Sequence, residues 1–178
     1  MREFTYISRK ALRIGSVLSL LLVLTVIAAA SALELDLRSY KVVLVKDATG
    51  KEVERLVPAK EVKPGDILEW VLKAKNNSDS PLKEVSLTIP IPPYTVYLAG
   101  TARPLRLDNG VTIAPLFSYD GTHFARPPLT KVIKVEKDGR IITKVVIVPP
   151  EQYTHVRWVV PSLAPSQMVK VGLRTKVR

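Results

Sequence analysis

For metal or nucleophilic chemistry the chain offers two histidines, His123 and His155, and no cysteine. A zinc site needs three or four convergent ligands, and neither histidine stands in a His/Asp/Glu cluster with ligand spacing. Asp108-Asn109-Gly110 and Asp120-Gly121 have the composition of calcium loops. Neither continues into an alternating series of oxygen ligands, so both read as turns. Ser118-Tyr119-Asp120-Gly121 is not a nucleophile elbow. No catalytic, cofactor-binding or metal-ligating residue is assigned, and the expectation is a protein that is not an enzyme and carries no cofactor. One short motif does have a defined chemistry, as a substrate. Ala30-Ser31-Ala32 is the small-x-small pattern that signal peptidase reads, with Ala30 and Ala32 as the recognised positions.

The residues around that motif support it. Arg2, Arg9, Lys10 and Arg13 precede an uncharged run from Ile14 to Leu33. The run is about 20 residues, just long enough to span a bilayer as a helix. It ends in small residues and not in a charged stop-transfer cluster, which favours cleavage over retention as an anchor. Its Leu-rich core points to the general secretory route. The expected organisation is a signal peptide over 1–32 and a single domain over 33–178. The protein is expected to be exported, to the periplasm, cell envelope or extracellular space, meeting a membrane only through an uncleaved signal. Without cysteine, the domain must hold together by packing alone, which 146 residues allow.

Residues 33–178 keep 23 Lys and Arg against 15 Asp and Glu, a net +8. Such an excess favours acidic neighbours, an anionic surface polymer among them. Charges of both signs are interspersed, which also suits a plain solvated surface. Nucleic acid is not expected, given the compartment and the lack of a binding motif.

The elements that would position any site read as strands. Leu33, Leu35 and Leu37 alternate in one phase, and Tyr40, Val42 and Leu44 in the other. The slip at Arg38-Ser39 suggests a bulge or a change of sheet. A short strand follows at Glu52–Val57. Val62-Lys63-Pro64-Gly65-Asp66 turns into a strand over Ile67–Lys75, with Leu68, Trp70, Leu72 and Ala74 on one face. Val85, Leu87 and Ile89 point inward until Pro90 stops the strand. Val132–Glu136 and Ile141–Val148 read as a hairpin across Lys137-Asp138-Gly139-Arg140. The closing strands are Thr154–Val160, with Trp158 inward, and Val169–Val177. Short strands, regular turns and no helical period give an all-β class, a two-sheet β-sandwich preceded by the signal helix. Trp70 and Trp158 are expected in the core.

Several of these segments resemble, in order and spacing, the conserved-repeat domain of exported prokaryotic proteins known as domain of unknown function 11. The matching pieces are Pro64-Gly65-Asp66, Ile67–Lys75, Asn76-Asn77, Val85–Pro90, Tyr97-Leu98-Ala99-Gly100-Thr101-Ala102, Arg157-Trp158, Leu163-Ala164-Pro165 and Val169–Val177, within 62–177. The resemblance implies an immunoglobulin-like sandwich on a surface or envelope protein, and it implies no catalytic residues. One copy is found here, preceded by Leu33–Ala59.

Two surfaces are therefore candidates for partner contact. The loop from Tyr94 to Pro128 carries Tyr94, Tyr97 and Tyr119 on what reads as a rigid scaffold. The last strand carries Lys170, Arg174 and Lys176 on one phase, a face suited to an anionic polymer or to guarding a sheet edge. The expected role is structural or interactive, most simply the binding of an envelope partner through 94–128. The alternative is an assembly subunit that pairs through its N-terminal strand 33–46. Asn76-Asn77-Ser78 is also a glycosylation sequon.

Overall fold

The structure, a computed structural model, describes residues 31–137 and 139–178. The expected signal helix and Ala30 lie outside the described residues, and Ala32 is exposed just before the first strand. Among the described residues the chain forms twelve β-strands, a single 3-10 turn at Pro150–Gln152 and no α-helix.

Two sheets share the core. The larger has the order β2 (Glu52–Pro58), β1 (Leu33–Lys46), β3 (Ile67–Asn76), β12 (Met168–Val177), β5 (Thr95–Tyr97). The smaller has β4 (Leu82–Pro90), β11 (His155–Leu163), β8 (Leu116–Ser118). All their pairings are antiparallel. The inward phases are the alternating apolar positions of the sequence. Leu72, Ala74, Val171 and Leu173 of the larger sheet pack with Val85, Leu87, Ile89, Val156 and Val160 of the smaller. The result is an all-β, sandwich-like domain held by apolar burial.

Trp158 lies at the centre of that core, fully buried, and its indole N–H donates to the Arg103 carbonyl at 3.0 Å. Trp70 keeps the predicted inward phase but is only partly buried, at the margin of the core. Its N–H donates to the Thr175 hydroxyl at 3.0 Å. Gly172 of β12 sits under the Trp70 carbonyl, where a Cβ would fall 2.7 Å from that oxygen. The two central strands thus approach more closely there than any side chain permits.

The first strand departs from expectation. There is no bulge and no change of sheet at Arg38-Ser39, and β1 is one unbroken strand of 14 residues. Its ladder with β3 runs without a break from Leu33↔Asn76 to Val42↔Ile67. The alternation slips because the sheet extends past its roof. The smaller sheet covers β3 and β12, whereas Leu35 and Leu37 lie on the same face as Ala74 and Leu72 yet remain exposed. With solvent on both faces, no single phase has to be apolar. Tyr40, Val42 and Leu44 can then face outward, while Lys41 on the inner face meets Asp66 at 2.7 Å.

Two further elements lie outside the main sheets. β6 (Leu105–Arg106) and β7 (Thr112–Ile113) form a small ribbon within the long loop, and neither they nor β8 were anticipated there. β9 (Leu129–Lys137) and β10 (Arg140–Val148) form the expected hairpin, and among the described residues they pair only with each other.

Candidate functional site

Three surfaces bear on function, and the sequence-predicted residues fall on two of them. The first is the outer face of the larger sheet. Lys170, Arg174 and Lys176 share that face, as their common phase requires, and Lys170 and Lys176 are exposed. Arg174 is not a free cation. Its Nε and one terminal nitrogen bond Glu69 at 3.0 Å, and its two terminal nitrogens bond Glu54 at 2.7 and 3.1 Å. Glu69 is its direct neighbour on β3, but Glu54 belongs to β2, with β1 and β3 in between. Sheet twist carries β2 over the outer face until the two side chains meet. The guanidinium holds the Glu54 carboxyl below its ordinary value. This fork-to-fork pairing already engages the guanidinium of Arg174, one of the expected polymer contacts. An open cleft of about 840 Å³ lies beside it, between β2, the sheet face and the loop Gly100–Arg106. Arg103, Arg106 and Lys170 contribute positive charge to its lining.

The second surface is the loop from Tyr94 to Pro128. Tyr97 is buried, with its ring centroid 5.5 Å from Phe117 and 6.2 Å from Tyr153. Its hydroxyl accepts the Ala102 N–H at 3.2 Å. It is a core residue and not a partner contact, because the alternation of β5 turns it inward. Burial pushes the neighbouring Tyr153 phenol up. Tyr119 is half-buried against the core, and only Tyr94 stands in solvent, 84% exposed and with a positive φ of 63°. The aromatic cluster floors an apolar groove of about 500 Å³, closed at the sides by Pro115, Pro127 and Pro150, with Arg126 among its lining.

The remaining polar motifs are turn chemistry. Asp120 accepts the N–H groups of Thr122 and His123, the Ser118 hydroxyl and the His123 ring at 2.7–2.9 Å. These donors hold its carboxyl well below the usual carboxylate range. Among the described residues, no three His, Cys, Asp or Glu side chains converge as metal ligands. Asn76, the sequon asparagine, is fully buried. Its amide donates to the Ser80 and Leu163 carbonyls at 2.8 and 2.9 Å, and its oxygen accepts from Ser78. No glycan can attach there in the folded domain.

The third surface is the hairpin, whose role sequence reasoning missed. Leu129 and Val148 root it in the core. Beyond that root, Val132, Ile141, Val145 and Ile147 share one face by register and are 63–75% exposed. Val135 and Ile142, on the opposite face, are exposed as well. The signal was present in the apolar neighbours Val132-Ile133, Ile141-Ile142 and Val145-Val146-Ile147. In a strand, consecutive apolar residues make both faces apolar, and a two-stranded ribbon has nothing to cover either.

Compared with protein-family profiles, curated proteins and solved structures, the chain matches none.

Proposed function

We propose that this is an exported, non-enzymatic β-sandwich of the cell envelope or extracellular space, whose role is to bind another protein surface. One observation carries the reading: a hairpin rooted in the core presents exposed β-branched apolar residues on one face, with Val132, Val145 and Ile147 adjoining and Ile141 beyond the Thr143–Lys134 pair. Isolated exposed apolar residues need no explanation, but a contiguous set on a projecting ribbon marks an interaction site. The signal-like N-terminus and the Ala30-Ser31-Ala32 site support export, and the resemblance to the conserved-repeat domain of exported prokaryotic proteins, with its immunoglobulin-like sandwich, agrees with it. An anionic polymer remains a subsidiary partner through Lys170 and Lys176, without Arg174.

The test is to replace Val145 and Ile147 by lysine in the full chain and to compare envelope association and thermal unfolding with the parent. Both positions are mostly exposed. Unfolding should therefore shift little, within about 0.5 kcal/mol, while association with the envelope is lost. Undiminished association would overturn the assignment to the hairpin.

The apolar groove under the long loop favours a second reading, in which a proline-containing or aromatic segment of an envelope partner seats between Pro115, Pro127 and Pro150, above the buried aromatic cluster. Ala114→Trp, at the groove wall, would block that contact and leave the hairpin untouched.

A further inference from the structure

The hairpin is one of two incomplete surfaces on this chain. The other is the first half of β1. β2 pairs with β1 only over Tyr40–Lys46, so Leu33–Ser39 has β3 on one side and no strand on the other among the described residues. The backbone N–H and C=O groups of alternate residues in this stretch, those turned away from β3, are left there as an open edge. Leu35 and Leu37 lie beside it, 53% and 42% exposed, on the inner face past the roof. An open edge with apolar side chains is a template for another strand.

We propose that a second copy of this chain completes that edge. Strand β10 of one molecule pairs antiparallel with Leu33–Ser39 of the next, so that copies join head to tail. The proposal rests on the interaction reading above and names its partner.

Three observations select this occupant. The first is length: Ile141–Ile147 supplies seven residues with a free edge, since β10 pairs only with β9. The second is face parity. Residues directly opposed in an antiparallel ladder share a face. Placing Val145 and Ile147 on the side of Leu35 and Leu37 puts Lys144 on the side of Glu34 and Asp36. One phase satisfies the apolar match and the charge match together; the other keeps Val146 opposite Leu35 but sets Val145 against Asp36 and Lys144 against Leu37. With Asp36 opposite Lys144, Leu35 faces Val145 and Leu33 faces Ile147. The third is charge over the whole arm. Lys131, Lys134, Lys137, Arg140 and Lys144 against Glu136 and Asp138 make 129–148 net basic, whereas the edge carries Glu34, Asp36 and Arg38. Asp36 and Arg38 already form an exposed pair at 2.9 Å.

A membrane is the less suitable occupant. The apolar face runs along the hairpin, and its last ladder pair, Lys137 with Arg140, is charged, the wrong end for insertion. In a single molecule the two edges belong to different sheets and do not pair. The contact is heterologous: each copy uses one surface to give and another to receive, so it propagates into a filament or closes into a ring.

The absence of cysteine makes the test direct. Full-length chain carrying Leu35→Cys and Val145→Cys together is oxidised on intact cells and run without reductant. Opposed residues of such a ladder bring Cβ atoms to about 4.5–5.5 Å, within reach of a disulfide. The expected result is a ladder of multimers. Each single variant alone should stay monomeric, and a mixture of the two singles should give dimer only. Asp36→Lys should reduce the crosslinked fraction about tenfold through like-charge repulsion. Adding Lys144→Asp to it should restore the ladder, which a folding defect would not allow. Absence of the ladder, or a dimer from either single variant alone, overturns head-to-tail pairing. If the ladder is absent while the hairpin lysine substitutions still abolish envelope association, the interaction reading stands and its partner is a different protein. If both results are negative, both fail.

Discussion

Replacing Asn76 by aspartate exchanges two donors for an acceptor inside a site with no room for charge. The asparagine amide feeds the carbonyls of Ser80 and Leu163, and its side chain is wholly buried at the end of β3. Two effects add. Each carbonyl left without its donor costs about 1–3 kcal/mol. The introduced carboxylate would face those carbonyl oxygens without water, while Ser78 still donates to its other oxygen. A fully buried carboxyl can rise by about 3–5 pKa units. The Ser78 donors offset part of that, leaving about 2–3 units, or about 3–4 kcal/mol at 1.36 kcal/mol per unit. The sign follows from the raised folded-state pKa. The charge penalty is complete above that pKa, shrinks as pH falls through it, and is gone below the unfolded value near 4. Urea unfolding of residues 31–178 should therefore show Asn76→Asp about 5–8 kcal/mol less stable than the parent at pH 8, recovering about 2–3 kcal/mol of the difference by pH 4.5. Asn76→Ala should lose about 2–4 kcal/mol at both pH values. A deficit for aspartate that is the same at pH 4.5 and pH 8 would refute the reasoning, because it would mean that water reaches the site.

Trp158→Ala should cost about 3–5 kcal/mol in denaturant unfolding, since it empties the centre of the core. Trp158→Phe should cost less but still leave the Arg103 carbonyl without its donor, which shows as faster proteolysis within Gly100–Arg106. Gly172→Ala should lose about 1–3 kcal/mol, because the added methyl meets a backbone oxygen of β3 and not a movable side chain; an unchanged melting temperature would disprove the close approach. Asp66 and Glu54 sit below their ordinary values, with the Lys41 and Arg174 hydrogen bonds as the largest causes. Their contribution is present above about pH 4 and disappears as pH falls through the lowered values. Asp66→Asn should accordingly lower stability in the neutral region, where that contribution is present, and so flatten the acid limb of a stability–pH curve, with variant and parent converging at the lowest pH.

Strands with one buried face were legible in the sequence. Ile67–Asn76, Leu82–Pro90, His155–Leu163 and Met168–Val177 lie within a few residues of their expected bounds, since the roof forces a period of two on every one of them. Where the roof ends, the rule lapses. The slip at Arg38-Ser39 was a change in which face is apolar, not in the backbone. The surroundings of Tyr97 and Arg174 were not legible, for a different reason. Their partners, Tyr153 and Glu54, lie 56 and 120 residues away, and no local pattern announces such a meeting. The hairpin was found at its proper place, but its solvent-facing Val132, Ile141, Val145 and Ile147 could only be recognised once the sheets were seen to leave it uncovered.

The Arg174–Glu54 pair has a consequence for motion. Among the described residues, β2 has no roof over its inner face and no strand along its outer edge. What fastens it beyond its ladder with β1 is that ion pair across two strands. Amide protons of Glu52–Pro58 should therefore exchange by a local opening far shallower than the event that frees β3 or β12. Raising the salt concentration weakens a partly exposed pair and leaves the core alone. The exchange rates of β2 should then climb with ionic strength while those of Leu72 and Leu173 stay fixed, and each opening would widen the cleft beside Arg103 and Lys170. On that prediction β2 would act as a flap whose latch is electrostatic and whose frame is hydrophobic.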